Sequence, residues 1–277
     1  MRIAILMLVH NNEQQVQRLI NHLSNDFDIY IHIDKRSKLK INKYLNVFFY
    51  KKYKTYWGSY NLVLATLYLL RKAFKNIYDR YILISGQDLP IKTNNEIIKY
   101  FQNNNTEYIN IRKIPTSDGW PTMDRLTAYT LDNKNICRIK RKLLYIINKY
   151  FPRKLEYDFY GGSQWTNYTH NCVKRIFDYL KNDKKYILRF FWTSCADEIF
   201  FQTIIAKSYE RENEKIQNAD LRYIDWHSGP EYPKILRKED FEKITYSNAL
   251  FARKFDENVD KEIIDKIYMK IGELRNC

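Results

Sequence analysis

A chain of 277 residues, with 45% hydrophobic and 29% charged side chains, is long enough to bury a sizeable core and has ordinary globular composition. Its formal net charge of +15 points to nucleic acid, an anionic membrane, or phosphorylated and acidic ligands. No nucleic-acid recognition motif accompanies that charge, so nucleic acid is not an expected partner. Low-complexity tracts and internal repeats are absent, and one compact unit over residues 1–277 is expected.

Residues 3–9 form a continuous apolar run, suited to a parallel strand covered on both faces. The run is too short to cross a bilayer and passes into His10-Asn11-Asn12-Glu13 without a cleavage signature, so it reads as a buried strand. Val16, Leu19, Ile20 and Leu23 predict a helix over 11–24. Residues 28–33 alternate and stop at Asp34-Lys35-Arg36, completing a strand–helix–strand unit. A short strand at 47–50 precedes a long helix over 59–76, with Val63, Leu67, Leu70 and Phe74 as its inward face. A buried strand at 80–84 runs into Gly86-Gln87-Asp88, followed by a helix at 94–102 and a strand at 107–111. This alternation predicts an α/β fold with an open, mostly parallel, Rossmann-like sheet. Ligands bind such sheets at the carboxyl ends of the strands. Here those ends carry His10, Asp34 and Asp88.

The second half is less regular. A helix over 138–150 sets Arg138, Lys140, Arg141, Lys142 and Lys149 beside five apolar residues. This stretch reads either as a docking helix for an anionic membrane surface or as a packed helix with a solvated basic face. Gly161-Gly162-Ser163 is a plain turn by spacing. Helices are expected over 169–181, 196–207 and 260–274, with a strand-like segment at 220–226. The four cysteines, Cys137, Cys172, Cys195 and Cys277, form no C-x-x-C pair, and reduced thiols in a cytoplasm are expected. The 24 tyrosines either supply sugar-binding faces or reflect base composition.

Candidate chemistry begins at Asp197-Glu198. With Ser194 as N-cap, Asp197 would complete a capping box and Glu198 would point to another face, where it could serve as a general base. A metal-binding Asp-x-Asp pair is missing after the central strand; Asp26-Phe27-Asp28 precedes a strand, and Asp88 has no second acid two residues away. A diphosphate would then rely on Lys and Arg, with Arg253, Lys254 and Lys234 as candidates; singly, each could equally be solvated surface. Hydrolase elbows, zinc pairs, dinucleotide fingerprints and P-loops do not occur.

Taken in order, Leu8-Val9-His10, Ile31-His32-Ile33-Asp34-Lys35, Trp57-Gly58-Ser59, Leu83 to Lys92, Gly162-Ser163-Gln164-Trp165, Ala196-Asp197-Glu198 and Leu250 to Asp256 form a specific series. The chain resembles the core 2/I-branching β-1,6-N-acetylglucosaminyltransferase family, which also holds the peptide O-xylosyltransferases. The resemblance runs over roughly residues 1–265 and is patchy between 112 and 155. It implies a glycosyltransferase A-type fold, inversion at the anomeric carbon and no metal cofactor. It assigns residues 1–111 to nucleotide binding and 112–277 to the acceptor and catalysis. Glu198 matches the catalytic base. Val9, His10, Asp34, Trp57 and Gly58 fall on the uridine side. Lys254 matches the lysine that neutralises the diphosphate, with Arg253 beside it and Lys234 as the nearest counterpart of a second cation. Asp88, Ser163, Gln164, Trp165 and Trp226 fall on the sugar and acceptor side.

The expected function is transfer of a sugar, GlcNAc or xylose favoured, from a UDP-sugar to an oligosaccharide or lipid-linked glycan. The setting implied is a bacterial, cytoplasmic enzyme of surface polysaccharide synthesis; whether 138–150 makes peripheral membrane contact or is a packed helix with a solvated basic face stays open. The alternative is a protein that binds a nucleotide or glycan on the same fold without turnover.

Overall fold

A computed structural model describes residues 1–117, 119–120, 122–130, 137–228 and 232–272. The first part of the chain forms β1 (Ile3–Val9), α1 (Glu13–Leu23), β2 (Asp28–Ile33), β3 (Val47–Tyr50), α2 (Tyr60–Ala73), β4 (Arg80–Ser85), β5 (Asp88–Pro90), α3 (Asn94–Phe101) and β6 (Glu107–Tyr108). There follow β7 (Arg112–Lys113), α4 (Met123–Thr127), α5 (Arg138–Tyr150), β8 (Tyr160–Gly161), β9 (Asn167–Thr169), α6 (His170–Asn182) and α7 (Lys184–Arg189). A 3-10 turn at Ala196–Glu198 leads into α8 (Phe200–Ser208), then β10 (Ile216–Gln217), β11 (Arg222–Ile224), α9 (Phe241–Tyr246), β12 (Phe251–Arg253) and α10 (Lys261–Lys270).

Seven strands make the main sheet in the order β10-β6-β9-β4-β1-β2-β3. Strands β1, β2, β3 and β4 are parallel, while β9 runs antiparallel to β4 and β6. Side chains alternate across a strand, and β1 uses both faces. Ala4, Leu6 and Leu8 enter a core built with α2, α6 and α8; Ile3, Ile5, Met7 and Val9 enter another with α1, α3 and α10. Burying one such aliphatic side chain is worth roughly 1.5–3 kcal/mol, so the apolar run pins β1 at the centre of the sheet.

A second sheet of three strands, β11-β12-β5, sets Arg253 opposite Asp88 on one side and Ile224 on the other. The short antiparallel pair β7–β8 aligns Arg112 with Gly161.

Several boundaries differ from the sequence expectation. The helix expected from 196 starts at Phe200, because Cys195 takes a left-handed conformation (φ 49°) and the next three residues wind as a 3-10 turn. Ser194 caps no helix; its hydroxyl lies against the Cys195 Sγ. Strands at 107–111 and 220–226 shrink to β6 and β11, and β5, β9 and β12 were not anticipated. Cys137, Cys172 and Cys195 are free, whereas Cys277 and residues 273–274 of the expected last helix lie outside the described residues.

Candidate active site

The carboxyl ends of the parallel strands are tied together by backbone. The Asp34 amide donates to the Val9 carbonyl at 2.9 Å, and the Gly86 amide to the Leu8 carbonyl at 3.0 Å. Val9 itself is buried beside Gly86, where a Cβ would meet Val16 at 2.7 Å. Asp34 is buried with both oxygens engaged. One accepts from the Arg36 amide (2.7 Å) and Nε (3.0 Å); the other accepts from Arg36 Nη2 (2.9 Å) and from the Thr55 amide (2.7 Å) and hydroxyl (2.9 Å). Burial alone would raise its pKa, but these donors hold the carboxylate well below the usual range. Arg36 in turn lies 3.7 Å over the Tyr56 ring. Asp34 therefore braces the wall on which Tyr56, Trp57 and Gly58 stand. Trp57 is largely exposed and meets the Tyr232 ring edge-on at 5.4 Å. Burial pushes the His10 imidazole down; Asp34 opposes that shift, and Lys254 and Arg36 add to it, so all four groups share one electrostatic neighbourhood.

Glu198 stands on a turn attached to this wall. Gly58 has φ +69°, a region that favours glycine, and its carbonyl accepts from the Cys195 amide at 2.7 Å. The turn that carries Glu198 is thus fastened to the Trp57 loop. Its other fastening is the Gly161-Gly162 pair: the Gly162 amide donates to the Glu198 carbonyl at 2.8 Å. A Cβ on Gly162 would lie 2.1 Å from the Asn110 carbonyl oxygen, and one on Gly161 2.7 Å from Trp120. Gly162 is required by close backbone approach and Gly161 by the Trp120 ring, so this segment is more than the plain turn read from spacing.

The Glu198 carboxylate pairs with Arg125 Nη1 at 2.5 Å, and 28% of its side chain remains exposed. Burial pushes its pKa up, while Arg125 and, less directly, Arg112 pull it down. Both guanidiniums also lie over Trp120, at 5.5 and 4.8 Å. Neighbouring Asp197 is buried and pushed up to about 8, by desolvation first and the Glu198 charge second. The two adjacent acids therefore differ: Asp197 is driven toward its neutral form, and Glu198 is held against a cation.

The three candidate cations also differ. Arg253 pairs with fully buried Asp88 at 3.3 Å and lies 3.9 Å over the Trp165 ring. Asp88 also accepts from the Ser85 amide, so it sits beneath the site and sets Arg253. Lys234 donates to buried Asp240 at 2.7 Å. Lys254 is half-buried, and its ammonium has no hydrogen bond or ion pair among the described residues. Burial and Arg253 both push its pKa down, and Asp256 only partly opposes them. An ammonium in that condition favours an incoming anion. Ser163 bridges the two sides: its hydroxyl accepts from the Trp165 amide at 3.3 Å and its carbonyl from Gln202 at 2.8 Å. The Gln164 Nε2 is buried without a partner among the described residues. Trp226 is exposed just beyond Ile224, the residue that faces Arg253 across the sheet.

These contacts form a connected run. Asp34 and Thr55 lead to Trp57 and Gly58; Gly58 leads through Cys195 to Glu198; Gly162 to Trp165 leads from Glu198 to Arg253 and its chain neighbour Lys254; Lys254 and Asp34 both act electrostatically on His10. Arg125, Arg112, Arg36 and Trp120 were not anticipated. Among the described residues, no group of three or more His, Cys, Asp or Glu gathers as a metal-ligand set. No helix among them is long and apolar enough to cross a membrane.

The sequence model described as Core-2/I-Branching enzyme matches residues 3–247. The chain belongs to this family. Among its similar relatives is a β-glucuronosyltransferase, GlcAT14B, of Arabidopsis thaliana, 24% identical over 271 residues, covering 95% of this chain and 61% of the plant protein. Xylosyltransferase 1 of Homo sapiens is 24% identical over 311 residues, covering 96% of this chain and 30% of the human protein. The chain thus spans under two thirds of the length of the curated relatives it matches. Family membership accords with the observed single α/β domain, whose mostly parallel central sheet and flanking helices are of the glycosyltransferase A type.

Proposed function

We propose that the protein is an inverting glycosyltransferase that moves a sugar from a UDP-sugar onto a carbohydrate acceptor without a metal ion. The observation that carries this reading is the combination, on connected elements, of a partly buried carboxylate held by Arg125 with a half-buried ammonium that has no ion pair among the described residues.

In the proposed step, Glu198 accepts the proton of an acceptor hydroxyl as that oxygen attacks the anomeric carbon. The bond from the anomeric carbon to the UDP oxygen breaks in line, and configuration inverts. Lys254 receives the charge that builds on the departing diphosphate. Arg253, held by Asp88 and Trp165, extends the positive field, and Lys234 contributes less because Asp240 already neutralises it. Trp57 offers an exposed ring for the base, and Trp226 another for the acceptor.

For the donor, the relatives' names bring glucuronate alongside xylose and GlcNAc for first testing. We carry the cytoplasmic setting, in bacterial surface polysaccharide synthesis on an oligosaccharide or lipid-linked glycan, within the same proposal. The free thiols of Cys137, Cys172 and Cys195 are compatible with a reducing compartment.

The test is a UDP-release assay over these donors with excess EDTA. Release that survives EDTA and falls about 10²–10⁴-fold in Glu198→Gln, with UDP binding retained, is the expected result. UDP binding without release from any donor would favour a non-catalytic binding protein. Strict dependence on a divalent ion would overturn the metal-free reading.

A further inference from the structure

We propose that helix α5 docks the protein on an anionic lipid bilayer. None of its thirteen residues is buried. Ile139 and Leu143 are 80% and 56% exposed, and Ile146 and Tyr150 are exposed as well. Their spacing places all four on one stripe of the helix. At the helical period, Arg138, Lys142 and Lys149 border that stripe on one side and Lys140 on the other. No acidic residue occurs between Arg138 and Leu155.

The stripe faces outward because the helix is fastened by another side. Asn148 bonds the Tyr129 backbone twice: the Tyr129 amide donates to its Oδ1 at 2.7 Å, and its Nδ2 donates to the Tyr129 carbonyl at 3.0 Å. Leu144 and Ile147, on that side, are half-covered. Beyond the helix the apolar surface continues. Phe151 is exposed, and Arg153 ties this end to Thr193 at 2.8 Å and to the Arg189 carbonyl. The turn so attached exposes Leu188, Phe191 and Trp192.

An apolar stripe flanked by cations matches the boundary between acyl chains and acidic headgroups, with Tyr rings at the interface. Nucleic acid would satisfy the cations and leave the stripe in water. A second copy would set like charges face to face. A helix of thirteen residues is too short to cross the bilayer and lies along it. Arg153 reaches Thr193, two positions before Cys195, so the docking helix is tied to the segment that leads into the Glu198 turn. Binding to lipid does not depend on the proposed reaction, and the two can fail separately.

The experiment is co-sedimentation of the full chain with phosphatidylglycerol–phosphatidylcholine vesicles and with phosphatidylcholine vesicles alone. Binding to the anionic vesicles at low salt, weakened at high salt, and none to the neutral ones is expected. A triple variant, Ile139→Ser, Leu143→Ser and Ile146→Ser, should abolish it. Lys142→Gln with Lys149→Gln should weaken it about 20- to 30-fold, since each cation is worth roughly fivefold at such a surface. Both variants alter exposed residues, and unchanged circular dichroism and melting would show that the fold is kept. Absence of binding to anionic vesicles at low salt overturns the proposal, as does binding undiminished in both variants. Self-association of the parent that the serine variant removes would instead assign the face to a second copy.

Discussion

Arg125 and Glu198 are 73 positions apart in the chain and 2.5 Å apart in space. Burial works against ionisation of Glu198, and Arg125 works for it. Replacing Arg125 with Gln should move the acidic limb of the kcat–pH profile to higher pH, so activity falls more at about pH 6 than at about pH 8. Arg125→Lys should recover part of the loss. A uniform loss at all pH values, with no shift in the limb, would reduce Arg125 to a structural part.

Lys254→Ala should weaken UDP binding about 10- to 100-fold, since a hydrogen bond to a charged group is worth roughly 1.5–3 kcal/mol. Lys234→Ala should cost less, because Asp240 already holds that ammonium. Calorimetric titration of UDP into each variant checks the order, and a larger effect at Lys234 would contradict it.

Asp197 gives a stability prediction with a definite sign. Its folded pKa of about 8 lies above the ordinary value of 3.8, so the folded state keeps a proton that the unfolded state releases. Stability should therefore fall as pH rises between those two values and level off above the higher one. Asp197→Asn removes the titration and should raise the melting temperature more near pH 8 than near pH 4. Melting curves at the two pH values decide this; equal shifts would show that Asp197 ionises freely.

Gly162→Ala should destabilise the fold by about 3 kcal/mol or more, since the added carbon meets rigid backbone rather than a flexible side chain. Denaturant unfolding measures that cost. Any folded fraction should also lose turnover, because the Gly162 amide holds the Glu198 carbonyl. Wild-type stability would mean that the Asn110 segment yields freely.

The parallel sheet was legible because its evidence is local. The run at 3–9 is apolar on both faces, and strand ends at His10 and Asp34 announce themselves by a change of residue type; Asp88, expected at such an end, instead opens β5 of the second sheet. Glu198, Trp57, Gly58 and Lys254 stood in short strings whose order carried a family resemblance. Arg125 had no such signal. It lies on a five-residue helix in the least regular stretch, and only folding brings it to Glu198. Arg36 was visible as a residue but not as a partner, since an exposed-looking cation after Asp34 gives no hint of a fork on that carboxylate and a ring beneath it. Hydrophobic pattern fixed α8 only approximately. A left-handed Cys195 delays its start, and that conformation follows from a backbone bond to Gly58 that no local rule contains.

That bond joins the Trp57 loop mechanically to the turn that carries Glu198. A ligand that shifts the aromatic loop at Trp57 pulls, through Gly58, on the peptide three residues ahead of Glu198. On the proposed reading, a donor seated at Trp57 would thereby bear on the aim of the Glu198 carboxylate through a single peptide link.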